Sequence, residues 1–330
     1  MMSDLPNGID SFLKAAGWGG AAIDPIPGDA SFRRYFRIAD QNRKAMLMFA
    51  PPPEEDPKPF LDVAKWLSDN NHRAPAIFGE DAASGWVLIE DFGNDRMRDW
   101  LDANPDGEQA SYRAAIDALV TLHKSPAGPF PPYDMATYQR EAALLTEWYC
   151  PAMRLDVDVE GYSAAWDEAL VPMIARQTSK VTVLRDYHAE NIMLLSPSAD
   201  GSGEQGLIDF QDALAGHPAY DLVSLLQDAR RDVSEALERQ MLDYYIAQAA
   251  PNEDFAADYA RLGAQRNAKI VGIFTRLNKR DGKPHYLDFI PRVWTAMERD
   301  LQHPALAPVA EWFDKNIPQS IRDAKGGRPA

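Results

Sequence analysis

The stretch VLRDYHAENIMLL, residues 183–195, decides how this chain is read. β-favouring apolar residues at both ends enclose a polar insert carrying Asp186, His188, Glu190 and Asn191. Such an insert is either chemistry or an ordinary polar turn, because Asp and Asn form turns readily. A second segment, GLIDFQDA at residues 206–213, follows across the polar run SPSADGSGEQG, which reads as a flexible hairpin loop. The chain thus passes a loop with Asp186 and Asn191, enters a strand, turns, and returns on a second strand that presents Asp209.

Two carboxylates and an amide in this order match the needs of phosphoryl transfer. One carboxylate orients an attacking hydroxyl and accepts its proton, while an amide oxygen and a second carboxylate hold Mg²⁺ on nucleotide phosphates. The spacing fits the kinase catalytic loop H-R-D-x-x-x-x-N: Arg185-Asp186 supplies the R-D pair, and Asn191 follows Asp186 by five residues. Asp209 then takes the part of the aspartate in D-F-G. The competing reading makes Asp186 and Asn191 turn formers and Asp209 a strand-end cap.

The rest of the chain suits that reading. With 330 residues, 45% apolar and 25% charged, it is long enough for two cores or for one domain divided by a cleft. A net charge of −16 opposes binding to nucleic acid. No leader-like opening and no long apolar run is present in the sequence, so no membrane association and a cytoplasmic location are expected. The single cysteine, Cys150, fits a reducing compartment, and the six histidines show no zinc spacing.

Alternation at 31–39 and 45–50 predicts a hairpin, after a short helix over 5–17. The segment PPPEEDPKP at 51–59 excludes regular structure, and a helix over 60–71 presents Phe60, Val63, Ala64 and Leu67 on one face. Two further strands, in PAIFGED and GWVLIEDFG, complete a small sheet. Helical patterns then cover 95–103, 108–124, 135–149, 160–177 and most of 233–330, with breaks at Pro251, Gly282-Lys283-Pro284 and Pro304 and a frayed GGRPA tail. The expected architecture is α+β: an N-terminal nucleotide-binding lobe over 1–92 and a helix-rich catalytic and substrate-binding lobe over 93–330.

With these motifs in place, the chain resembles the aminoglycoside phosphotransferase and choline kinase family, small-molecule kinases with a two-lobed, protein-kinase-like fold. His188 falls on the second histidine of that family's H-G-D-x-H-x-x-N loop, and GHPAYDLVSLL at 216–226 is similar to its D-P-x-x-D-L-A segment. The resemblance implies ATP and Mg²⁺ as cofactors, Asp186 as catalytic residue, Asn191 and Asp209 as metal ligands, and Arg185, His188 and Asp221 as supports of the loop. Glu90 and Phe92 fall where the lobes join and where backbone groups meet adenine. Four segments, GDASFRRYFR (28–37), LRDYHAENIML (184–194), LIDFQDA (207–213) and IFTRLNKRDGKPHYL (273–287), resemble the amino-sugar branch of the family. That branch phosphorylates the C1 hydroxyl of N-acetylmuramate and N-acetylglucosamine in cell-wall recycling, which implies an amino-sugar acceptor here.

Two positions depart from the family pattern. Leu184 stands at the first histidine of the loop, and Met48 stands where a strand lysine contacts the nucleotide phosphates. The turn GDAS with Ser31, followed by Arg33 or Arg34, is the expected replacement; a pair of solvated arginines is the other reading. For the acceptor, residues 266–283 hold six Lys and Arg against Asp281 alone, which suits an anionic substrate. Arg276, Asn278 and His285 are the acceptor candidates within and after that segment, and Gln211 and Asp212 those beside Asp209.

Overall fold

The computed structural model describes residues 5–27, 32–195, 201 and 203–329. Ser31 and the GDAS turn, most of the polar loop at 196–202 and the last residue of the tail lie outside the described residues. The chain forms two compact units, Met1–Ala114 with Glu190–Asp212, and Ala115–Ala189 with Ala213–Ala330. The expected division at 92/93 follows the change from sheet to helix; contact groups the next helix and a later hairpin with the sheet instead.

In the first unit, helix α1 (Ile9–Ala15) precedes strands β1 (Ala22–Ile26), β2 (Arg34–Asp40) and β3 (Arg43–Phe49). Helix α2 (Lys58–Asp69) and strands β4 (Ile77–Asp81) and β5 (Trp86–Glu90) follow. The five strands form one antiparallel sheet in the order β1-β2-β3-β5-β4. Alternation explains its core, since a strand sends successive side chains to opposite faces. Phe36, Ile38, Ala45, Leu47, Trp86 and Leu88 meet Ile9 and Leu13 of α1 on one face, and Met48, Val87 and Ile89 are buried on the other. β1 escapes sequence reading because it contains Pro25, which is tolerated only at a sheet edge, and β1 is an edge strand.

α2 buries the four residues that its spacing predicted. Helices α3 (Met97–Ala103) and α4 (Glu108–Lys124) follow, with α4 running on into the second unit. There α5 (Met135–Ala142) ends early: a π turn over Leu145–Tyr149 interrupts the helix expected over 135–149, and α6 (Cys150–Ala152) and α7 (Val159–Arg176) come next. The interruption faces the long helix over Phe255–Asp281. Cys150 is buried, and burial pushes its thiol up to about 12.

Strand β6 (Val181–Val183) lies in the second unit; β7 (Ile192–Leu195) and β8 (Glu204–Leu207) form the predicted hairpin in the first; β9 (Leu214–Gly216) returns to pair with β6. The second unit is completed by α8 (Ala219–Leu226), α9 (Glu235–Ala249), α10 (Phe255–Asp281), α11 (Ile290–Asp300), α12 (Ala307–Asn316) and α13 (Gln319–Asp323). The breaks fall at Pro251, Gly282 and Pro304 as read. Gly282 closes α10 at φ 66°, a left-handed cap that glycine adopts at little cost. The tail does not fray throughout, because the Tyr149 hydroxyl donates to the Gly326 carbonyl at 2.6 Å. No helix among the described residues is long and apolar enough to cross a membrane.

Candidate active site

The loop between β6 and β7 is fixed by its backbone. Asp221, in the first turn of α8, accepts from the N–H of Leu184 at 2.6 Å and of Arg185 at 2.8 Å. Burial pushes its carboxyl up to about 7, against the pull of these two donors. Asp228 accepts from the Ala189 N–H at 3.3 Å and the Arg230 N–H at 2.8 Å, and the Tyr187 hydroxyl reaches the Ala115 carbonyl at 2.7 Å. Leu184 is itself buried, so an apolar contact stands where the family pattern has a histidine, while Asp221 holds the backbone.

The side chains of the loop sit over a buried charge cluster. Arg185, at φ 71°, hydrogen-bonds Glu141 of α5, which also faces Lys269 of α10 at 3.2 Å. Lys269 donates to the Tyr220 hydroxyl at 3.1 Å, and the Tyr133 hydroxyl donates to Glu141. Burial pushes Glu141 up, but Lys269 and Arg185 outweigh it and hold the carboxyl below its ordinary value. The same balance governs Asp186: burial raises it, while Lys269, Arg266 and Arg185 keep it lowered and ionised.

His188 is buried, with Nε2 3.1 Å from Arg230 Nη1. An arginine only donates, so Nε2 accepts and the ring is neutral with its proton on Nδ1. Burial lowers the pKa in the same sense. The lone pair of this imidazole is thus engaged by Arg230, which fixes the ring beside Asp186.

In the first unit the hairpin carries the other two polar groups. Asn191 Nδ2 lies 3.3 Å from Asp209 Oδ2, and Gln211 Nε2 donates to Asp209 Oδ1 at 2.9 Å. Asp209 stands at φ 59°, a left-handed conformation that costs a non-glycine residue energy and is retained where a side chain must be aimed. Phe210 anchors it, fully buried and stacked on Phe60 of α2 with ring centroids 5.1 Å apart. A carboxylate and an amide oxygen are hard donors, and Mg²⁺ takes one or two such protein ligands together with substrate phosphates. Asn191 and Asp209 fit that demand.

Residues 22–264 match the model of the phosphotransferase enzyme family. The chain belongs to that family. It is 36% identical to the N-acetylmuramate/N-acetylglucosamine kinase of Caulobacter vibrioides over 94% of this chain and 96% of that one. It is also 36% identical to the enzyme of the same name from Pseudomonas aeruginosa, over 96% and 95%. In fold it is similar to a choline/ethanolamine kinase family protein from Mesorhizobium loti, with a TM-score of 0.62 and 14% identity over 92% of this chain and 97% of that one.

The remaining expected residues of this phosphotransferase fall into distinct groups. Arg33 reaches Glu55 at 3.3 Å, whereas Arg34 lies over the Phe36 ring at 5.2 Å. Glu90 holds Arg73 in a paired contact of 2.5 and 2.8 Å, and Arg73 covers the Phe92 ring at 4.7 Å. Phe92 packs on β8 at Gly206, where a Cβ would lie 2.6 Å from the ring. Gln211 serves Asp209, and Asp212 is exposed.

The basic segment does not form one anion site. Arg266 is buried against the Ser224 hydroxyl at 2.8 Å, Lys269 belongs to the cluster under Asp186, and Arg280 pairs with Asp281 at 2.7 Å. Arg276 and Asn278 lie beyond Lys269 toward the C-terminal end of α10, Arg276 at about 10 Å along the axis, with Glu147, Arg280 and Asp281 as the charged neighbours of Arg276. His285 is exposed and packs on the Tyr286 ring. Sequence reading missed Lys269, Arg266 and Glu141, because a helical lysine and a helical glutamate look like solvated charges until the fold buries them. A cavity of about 510 Å³ also opens in the second unit, with Asp228, Arg231, Asp232, Glu238, Arg292 and Arg299 among its walls.

Proposed function

We propose that this chain is an ATP- and Mg²⁺-dependent kinase whose acceptor is an amino sugar, the anomeric C1 hydroxyl of N-acetylmuramate or N-acetylglucosamine. The observation that carries this reading is the 36% identity, over nearly the whole length, to two kinases named for those sugars. The ordered set Asp186, Asn191 and Asp209 supports it. A reaction fed by ATP, in a chain with one buried thiol, belongs in the cytoplasm.

Asp186 is already ionised by the cations around it, so it can orient the C1 hydroxyl and accept its proton as the oxygen attacks the γ-phosphorus in line. The bond from the γ-phosphorus to the bridging oxygen breaks, and ADP leaves with that electron pair. Asn191 and Asp209 would hold Mg²⁺, which offsets the charge of the β- and γ-phosphates. No covalent enzyme intermediate is required. Arg185, through Glu141, and Asp221, through two backbone N–H groups, keep Asp186 aimed.

The cavity in the second unit is a candidate place for the acceptor. Its volume is that of a small-ligand site, its walls carry both signs of charge, and Asp228 joins it to the catalytic loop at Ala189. Polar walls of this kind suit the hydroxyls and the acetamido group of an amino sugar. ATP consumption over N-acetylmuramate, N-acetylglucosamine, an aminoglycoside and choline tests the acceptor, with ³¹P NMR to locate the phosphate. An anomeric phosphate on either sugar is expected; preferential turnover of choline or the aminoglycoside would refute the reading.

A further inference from the structure

The central strand position where a kinase sheet carries its phosphate-binding lysine is apolar here. Met48 is completely buried and pairs across the sheet with Tyr35, whose hydroxyl lies 3.5 Å from the Met48 sulfur. The positive charge that acts on Tyr35 is Arg33. Its side chain is 13% exposed, its Nε lies 3.3 Å from Glu55 Oε2, and it hydrogen-bonds the Tyr35 side chain. Tyr35 in turn feels the charges of both Asp209 and Glu55. One partly buried arginine is therefore grouped with a tyrosine, a glutamate and the carboxylate expected to hold the metal.

We propose that Arg33 supplies the cationic contact to the nucleotide phosphates in place of a strand lysine, and that Glu55 is its positioning residue. The inference rests on the kinase reading above for its ligand. Glu55 comes from the proline-rich linker, where its N–H donates to the Pro51 carbonyl at 2.9 Å; the turn that excludes a helix there presents the carboxylate. In the usual arrangement a lysine pairs with a glutamate on the following helix. Here both partners lie just outside regular elements, Arg33 before β2 and Glu55 before α2.

The chemistry is not that of a lysine moved to a new place. A guanidinium has five donors in a planar fork, so one edge can face a carboxylate while another meets phosphate oxygens; an ammonium acts as a point charge. Arg34, stacked on Phe36, is held away from this group by the opposite facing of successive strand residues.

Purified full-length Arg33→Ala, Arg33→Lys, Glu55→Gln and the Arg33→Ala/Glu55→Gln double variant test the proposal by steady-state kinetics and by calorimetry with Mg·ADP. Arg33→Ala is expected to lower kcat/KM for ATP by about 10²-fold to 10³-fold, as loss of one preorganised charged donor does. The KM for the amino sugar should stay unchanged, and Arg33→Lys should recover part of the loss. Glu55→Gln should cost about 10-fold, with little further loss when added to Arg33→Ala, because partners in one unit are not additive.

An Arg33→Ala enzyme with unaltered kcat/KM for ATP overturns the proposal, as do losses that multiply in full. Should Arg33→Ala melt well below the parent, folded Arg33→Lys and Glu55→Gln decide by the same criteria. Calorimetry separates the two readings: Mg·ADP binding that weakens in Arg33→Ala upholds this inference even if no amino sugar is phosphorylated. Sugar phosphorylation with ATP handling indifferent to Arg33 leaves the kinase and removes the inference.

Discussion

Asp186 is a carboxylate kept ionised in a half-buried place by charges that face it from two elements: Lys269 and Arg266 on α10, and Arg185 on its own loop, with Asp221 of α8 opposing them. Asp186→Ala should lower kcat by about 10²-fold to 10⁴-fold, the range of general-base catalysis, while Mg·ATP binding measured by calorimetry stays near that of the parent. Retained turnover would remove Asp186 from its role. Lys269→Gln tests the charge balance. Lysine favours the ionised carboxylate, so its removal raises the Asp186 pKa, and activity that depends on the ionised form fails at a higher pH. The acid limb of kcat/KM should therefore move upward in Lys269→Gln, and an unmoved limb would show that Asp186 does not set it.

At the scale of elements, α10 carries the cations that reach the catalytic loop and must therefore lie close to its neighbours. At Gly272 the neighbour is backbone: a Cβ there would come within 2.3 Å of Leu144, where α5 gives way to the π turn. A turn with one extra residue accommodates this approach, which accounts for the break in the helix expected over 135–149. Gly272→Ala should destabilise by about 1–3 kcal/mol through overpacking against backbone, read as a lower urea midpoint. An unchanged midpoint would mean that the π turn shifts at no cost. The sequence showed α10, its apolar spacing and its glycine cap, but not the π turn, because 135–149 keeps a helical pattern without interruption. It did not show β6 or β9 either, since three-residue strands are too short for a period of two to be recognised.

For the whole molecule, the catalytic loop leaves the second unit between Ala189 and Glu190, and its two ends are anchored separately: Asp221 and Asp228 before, Asp209 and the hairpin after. A ligand that binds the native chain stabilises it by about 2.7 kcal/mol at one hundred times its Kd, so Mg·ATP should raise the melting temperature, and the Mg²⁺-dependent part should be lost in Asp209→Asn. An equal Mg²⁺-dependent shift in both proteins would assign the metal elsewhere. The order Arg185-Asp186, Asn191, Ile208-Asp209-Phe210 was legible from residues alone, and with it the phosphotransfer chemistry, because spacing along a loop and hairpin is a local property. Which charges serve that chemistry was not. Lys269 and Glu141 are unremarkable in sequence and are paired only by burial, which strengthens electrostatic interaction and joins residues far apart in the chain. The same burial scattered the basic run of 266–283 into separate environments, so its apparent meaning as a single anion site dissolved once the helix was packed.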